Sequence, residues 1–170
     1  MFSPEFVQSY PDFVKAPEGY SYKDVKPGQS NAPAAEQGDR VVYDWTGVTI
    51  GYFGRPFQAK GGPQGGAFDK TDIDYARTVL GSHTVVKGLE LALQGMRAGQ
   101  VRQVIVPYEL SYPPEDLRHD RVGPKPDNFS GQRALNFVLE NPRVDRTLLF
   151  NVKVIRVDKP NGQGGFARGS

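Results

Sequence analysis

The chain has 170 residues, the size of one domain, and carries 21 lysines and arginines against 19 aspartates and glutamates. Its basic residues are scattered and the net charge is only +2, which does not indicate a nucleic-acid-binding protein. The lack of cysteine excludes disulfides and thiolate metal sites, and no apolar run reaches the ~20 residues of a membrane-spanning helix. We therefore expect one globular domain that is not an integral membrane protein.

The first 18 residues form a distinct N-terminal segment. They combine three prolines with aromatic residues at spacings of about four, namely Phe2, Phe6, Tyr10 and Phe13. Exposed aromatic rings are unusual in a plain linker, so this pattern predicts a short arm that docks on the domain or on a partner. A mobile leader is the alternative.

The rest of the chain is rich in residues that favour strands, including 8 tyrosines and 10 phenylalanines. Alternation of apolar and polar residues predicts strands over 20–25, 39–50, 74–80, 100–107 and 147–157. The strongest of these signals is 39–50, where Val41, Tyr43 and Trp45 share one face.

One helix is predicted over 83–96, because Val86, Leu89, Leu93 and Met96 recur at helical spacing. The glycine-rich insertion 58–70, the proline-rich loop 113–146 and the tail 159–170 are predicted to be irregular, and the tail flexible. The sequence thus predicts an α+β domain over 19–158. Its antiparallel, strongly curved sheet has five or six strands and wraps around one short α-helix.

The residues show no acid–base or metal-binding constellation. The two histidines, His83 and His119, lie 36 positions apart, and each is predicted to be a turn or surface residue. The glycine run lacks the Gly-Lys-Ser/Thr ending of a phosphate-binding loop. What remains is a set of apolar residues at strand ends and at the start of the helix, and packing in the core is their simplest interpretation.

Four separated motifs resemble, in order, those of the FKBP-type peptidyl-prolyl isomerase domain. They are GDRVVYDWTG, GRPF, LGSHTVVKGLELALQGMRAGQVRQVIVPYELSY and TLLFNVKVIRV, and the resemblance covers roughly residues 19–158. The Thr-Ile-Gly-Tyr continuation at 49–52, the glycine-rich insertion and the segment GPKPDNFSGQRAL at 123–135 further resemble a subgroup from plant and algal chloroplasts. The resemblance implies a location in the thylakoid lumen.

The resemblance implies isomerase activity on X-Pro bonds of client proteins, with no cofactor and no metal. It implies Tyr112, Val86 and Phe57 as catalytic residues. The Val86 N–H and the Tyr112 hydroxyl would donate hydrogen bonds to the carbonyls that flank the proline. The implied substrate-binding residues are Trp45, Gln58, Val85, Leu89 and Phe150.

The sequence departs from the family pattern at several pocket positions. Gln58 replaces an aspartate, unless Phe68-Asp69 of the insertion supplies it, and Leu89 replaces a tryptophan. Ala76 stands where the family has a second wall aromatic, although Tyr75 is adjacent, and the loop 113–146 is enlarged. We therefore expect weak isomerase activity. The alternative is a binding module with a drifted pocket, acting as an assembly or auxiliary subunit of a thylakoid membrane complex.

Overall fold

A computed structural model describes residues 10–59, 75–119 and 121–169, and these residues form one antiparallel sheet. In chain order its strands are β1 (Val14–Lys15), β2 (Ser21–Lys26), β3 (Arg40–Thr49), β4 (Arg55–Gln58), β5 (Ala76–Val79), β6 (Val101–Val106), β7 (Leu148–Pro160) and β8 (Phe166–Ala167). The strand order is β1-β2-β6-β7-β3-β4, with β5 also pairing with β3 and β8 with β7. The long strands β3 and β7 lie side by side at the centre, because their alternating apolar residues bury one face.

Two helices cover this sheet, α1 (Lys87–Leu93) and α2 (Phe129–Leu139). Helix α1 lies directly on β6, since a Cβ at Gly88 would be only 2.8 Å from the Val106 side chain. It buries Leu89, Ala92 and Leu93 in a continuous core with inward-facing residues of the sheet. The candidate site residues at the start of this helix therefore lie against the sheet.

The predicted α+β architecture is confirmed, with differences in detail. Two of the additional strands, β1 and β8, have two residues each, and β4 lies in the glycine-rich region for which no strand was predicted. The predicted loop 113–146 contains α2, so the sheet carries a second helix beside the one expected. Most of the insertion, residues 60–74, lies outside the described residues.

Both ends of the described chain pack on the sheet. Residues 1–9 of the predicted arm lie outside the described residues. The rest of the arm forms a turn at Tyr10–Phe13 and then strand β1, which pairs with β2. The tail, predicted to be flexible, instead folds back as β8, and the Gly169 N–H donates to the buried carboxylate of Asp158 at 2.7 Å. Among the residues described, no helix is long and apolar enough to cross a bilayer.

Helix α2 is held against β4 at its first turn. Asn128 caps the helix by accepting a hydrogen bond from the Gly131 N–H at 2.7 Å. A Cβ at Gly131 would collide with the backbone carbonyl oxygen of Phe57. Only glycine therefore lets the start of α2 approach β4 this closely.

Replacement of Gly131 by valine should separate α2 from β4. Because the colliding atom belongs to the backbone, we expect Gly131→Val to lower the free energy of unfolding by about 2 kcal/mol. Urea unfolding measures this value, and Ser130→Val is the matched control at an exposed position of the same helix. Equal stability of the two variants would contradict the close approach.

Candidate functional site

Three aromatic rings form one wall of the candidate site. Trp45 on β3, Phe57 on β4 and Phe150 on β7 have ring centroids 5.8 to 6.0 Å apart. The strand register brings them together, because Gly47 pairs with both Phe150 and Gln58. A Cβ at Gly47 would collide with the Phe57 ring, so this glycine makes room for it over β3. The result is a tightly packed apolar wall.

The start of α1 supplies a backbone donor beside this wall. Val86 is the N-cap residue and has φ −55° and ψ 139°, which leaves its N–H outside the hydrogen bonds of the helix. Val85 precedes it, and Leu89 follows in the first turn with no exposed surface. The entering loop is fixed by Glu90, which accepts a hydrogen bond of 2.5 Å from the Gly81 N–H.

Tyr112 supplies the second donor. It follows the 3-10 turn Tyr108–Leu110, which Ser111 closes through hydrogen bonds from its N–H and its hydroxyl to the Tyr108 carbonyl. Burial raises the pKa of the Tyr112 hydroxyl well above its ordinary value, and the nearby Tyr43 hydroxyl raises that pKa further. The group therefore stays protonated and acts as a hydrogen-bond donor at neutral pH.

Both donors bind a segment of the chain itself, residues 122–127, which we call the Gly-Pro segment. The Val86 N–H donates to the Gly123 carbonyl at 2.8 Å, and the Tyr112 hydroxyl donates to the Pro124 carbonyl at 2.5 Å. The Gly123 N–H in turn donates to the Thr84 carbonyl at 2.8 Å. The Gly123–Pro124 peptide bond is cis. The two carbonyls that flank an internal proline are thus the partners of the two candidate donors.

The far end of the Gly-Pro segment is fastened to β4. The Gln58 side-chain amide donates to the Asp127 carboxylate at 2.7 Å, and the Asp127 N–H donates to the Gln58 amide oxygen at 2.9 Å. A glutamine serves both bonds because its amide contains a donor and an acceptor, whereas an ionised aspartate only accepts. The departure from the family pattern at Gln58 therefore has a structural role in this chain.

We call the buried apolar side chains of Trp45, Phe57, Tyr112 and Phe150 the cup, and this cup is closed to solvent. Trp45 is 5% exposed, Phe57 2%, and Tyr112 and Phe150 have no exposed surface. Within the Gly-Pro segment the rings of Pro124 and Pro126 are also buried, and Val122 packs against the core. A cleft of about 520 Å³ opens beside the segment and is lined by Val85, Val86, Tyr108, Tyr112, Pro113 and Val122, among others.

The structure brings together the predicted aromatic residues Trp45, Phe57 and Phe150. Val86, Leu89 and Tyr112 are buried in the same hydrophobic core; Val85 precedes Val86, and Gln58 follows Phe57. Their roles toward a substrate remain predictions. Of the other candidates, Ala76 packs at the edge of the core, and Phe68-Asp69 lies outside the described residues.

Sequence reasoning missed the Gly-Pro segment itself. Gly123, Pro124 and Asp127 provide the contacts that occupy the two donors and Gln58. A signal was present, because Gly-Pro-Lys-Pro is a prolyl sequence within a chain predicted to bind prolyl peptides. The histidines also differ from one another, since His83 is exposed whereas His119 is buried against Asn136.

Comparison with known sequences assigns a family. Residues 31–155 match the family described as FKBP-type peptidyl-prolyl cis-trans isomerase. The peptidyl-prolyl cis-trans isomerase FKBP19, chloroplastic, of Arabidopsis thaliana is 45% identical over 149 residues, which are 87% of this chain and 57% of that protein. FKBP16-4, chloroplastic, of the same plant is 37% identical over 59% of this chain and 41% of its own length. The chain thus spans about half the length of these relatives.

Solved structures show the same fold at low sequence identity. The N-terminal domain of FKBP42 from Arabidopsis thaliana has a TM-score of 0.54 and 20% identity, covering 92% of this chain and 98% of that one. FkpA from Escherichia coli has a TM-score of 0.52 and 22% identity, covering 89% of this chain and 53% of that one. These likenesses support the architecture of the sheet and helices.

Removal of the Tyr112 hydroxyl should destabilise the closed site. In Tyr112→Phe the buried Pro124 carbonyl loses its donor, so we expect the free energy of unfolding to fall by about 1–2 kcal/mol. Urea unfolding tests this, with Tyr22→Phe as the matched control on β2, where the ring contact with Arg102 needs no hydroxyl. A Tyr112→Phe variant as stable as this control would show that the hydrogen bond does not hold the segment.

Proposed function

The chain belongs to the family of FKBP-type peptidyl-prolyl cis-trans isomerases, and from this premise we propose that it catalyses rotation about X-Pro bonds of client proteins. The observation that carries the proposal is the geometry of the two donors. The Val86 N–H and the Tyr112 hydroxyl reach the carbonyls of the two residues that one prolyl bond joins. A client with an X-Pro sequence offers the same pair of carbonyls.

The chemistry requires no acid, base or cofactor. Rotation about a peptide C–N bond faces a barrier of ~18–20 kcal/mol because resonance gives this bond double-bond character. Water bound to the carbonyl oxygen strengthens that character. A dry apolar cup that excludes this water binds the twisted amide better than the planar one, and this difference in binding lowers the barrier. The role of the two donors is to orient the peptide in the cup.

The wall residues match this chemistry. The rings of Trp45, Phe57 and Phe150 exclude water from the cup, and Leu89 lies where other members of the family are expected to have a tryptophan. A leucine side chain has a smaller and less flat contact surface for a proline ring than a tryptophan has. We therefore propose that the activity is lower than that of a site with tryptophan at this position.

The chloroplastic relatives support a location in the chloroplast, and within it we propose the thylakoid lumen. The family implies protein clients with X-Pro bonds as the partners. The alternative of a drifted binding module, acting as a subunit of a thylakoid membrane complex, is not favoured. The family match favours the isomerase, and the two candidate donors and the aromatic wall support that choice.

Replacement of the central wall residue should reduce catalysis without opening the fold. In Phe57→Leu we expect kcat/KM for a short Ala-Xaa-Pro-Phe peptide to fall by about 10-fold, because an aromatic contact worth about 1 kcal/mol and part of the wall are lost. NMR exchange spectroscopy on the full chain measures the rate without a coupled protease.

Phe129→Leu is the matched control, since that phenylalanine is 76% exposed on α2. It should keep the rate of the unchanged chain. Equal rates for Phe57→Leu and Phe129→Leu, or a rate for the unchanged chain no higher than that of peptide alone, would contradict the proposed activity at this site.

A further inference from the structure

We propose that the Gly-Pro segment is an internal ligand of the proline site, which competes with clients and keeps the chain in a closed, low-activity state. This inference rests on the proposed function, because it concerns the regulation of the same site. It also names the chemistry of the competing ligand, a Val-Gly-Pro-Lys-Pro sequence within the chain itself.

The Gly-Pro segment uses the same contacts that a client needs. Its two carbonyls, at Gly123 and Pro124, accept the hydrogen bonds of the Val86 N–H and the Tyr112 hydroxyl. A client carbonyl and a segment carbonyl cannot both occupy one donor in these positions. Binding of a client therefore requires the segment to leave.

The segment is held at both ends, which makes it an effective competitor. At its start, the Gly123 N–H binds the Thr84 carbonyl, and at its end Asp127 and Gln58 exchange two hydrogen bonds. Helix α2 begins directly afterwards and is packed on β4 through Gly131. Because the segment is part of the chain, its ends lie at the site at all times and its local concentration does not depend on dilution.

Displacement of the segment does not require the domain to unfold. The cleft of about 520 Å³ borders the start of the segment at Val122 and is also lined by Val86 and Tyr112. Lys125 and Asp127 are exposed, so the segment borders solvent on its other side. The apparent affinity for a client equals the affinity of the open site multiplied by the fraction of molecules in which the site is open. Loosening the segment raises that fraction and therefore raises the apparent affinity.

The test compares the unchanged full-length chain with Pro124→Gly, which removes the buried ring while keeping the chain length. Pro142→Gly is the matched control, because Pro142 is an exposed proline in the turn after α2. Trp45 is the only tryptophan of the chain and lies in the cup, so acrylamide quenching of its fluorescence reports opening independently of catalysis. The same proteins are assayed for peptide isomerisation and for inhibition by synthetic Val-Gly-Pro-Lys-Pro.

We expect Pro124→Gly to increase the Trp45 quenching constant by about 3-fold and kcat/KM by about 10-fold, mainly through KM, while Pro142→Gly changes neither. The synthetic pentapeptide should inhibit Pro124→Gly at lower concentration than it inhibits the unchanged chain. If Pro124→Gly does not fold by circular dichroism, Asp127→Ala replaces it, with the exposed Asp12→Ala as control.

The outcomes separate this inference from the proposed function. Equal quenching, equal turnover and equal inhibition in all three proteins would overturn the internal ligand while leaving the isomerase activity in place. Increased quenching and pentapeptide binding without any turnover would support the internal ligand and overturn the isomerase.

Discussion

The structure depends on one constraint, which is that buried polar groups need hydrogen-bond partners. The Val86 N–H and the Tyr112 hydroxyl both lie at a dry apolar cup, where an unpaired donor costs about 1–3 kcal/mol. In the chain without a client, the carbonyls of Gly123 and Pro124 satisfy both donors. The features that we propose to bind a prolyl peptide therefore also favour occupation of the site by the chain's own prolyl segment.

The remaining elements bring this arrangement about through close backbone packing. Gly47 leaves room for the Phe57 ring over β3, and Gly131 lets α2 approach the Phe57 carbonyl. Phe57 is thus fixed on two sides, by the strand below it and the helix beside it. Because α2 begins two residues after Asp127, its position on β4 also fixes the end of the Gly-Pro segment that is bonded to Gln58. The described part of the enlarged loop therefore belongs to the candidate site.

The sequence predicted the parts of the site that depend on local periodicity. Trp45 was placed by the alternation of β3, and Val86 and Leu89 by the helical spacing of α1. The roles of these residues came from the order of family motifs. Helix α2 was missed although Gly131, Ala134, Leu135, Val138 and Leu139 recur at helical spacing and are buried in the structure. The prolines that precede this helix, and the glycine within it, favoured a loop in the sequence.

The contacts of the Gly-Pro segment could not be predicted from local patterns in the sequence. Gln58 and Asp127 lie 69 positions apart, and Tyr112 and Pro124 lie in a stretch with no repeating period. Only the pairing of the sheet and the packing of α2 bring these groups together. Gln58 is a similar case. In the sequence it only replaces the aspartate of the family, whereas in the structure it exchanges two hydrogen bonds with Asp127.

NMR of the unchanged chain can detect occupation of the Val86 N–H by the Gly123 carbonyl, through the scalar coupling across that hydrogen bond between the Val86 amide nitrogen and the Gly123 carbonyl carbon. We expect this coupling in the protein alone, together with slow hydrogen exchange of the Val86 amide, and we expect its loss when a saturating X-Pro peptide is added. An uncoupled, rapidly exchanging Val86 amide in the protein alone would contradict this occupation.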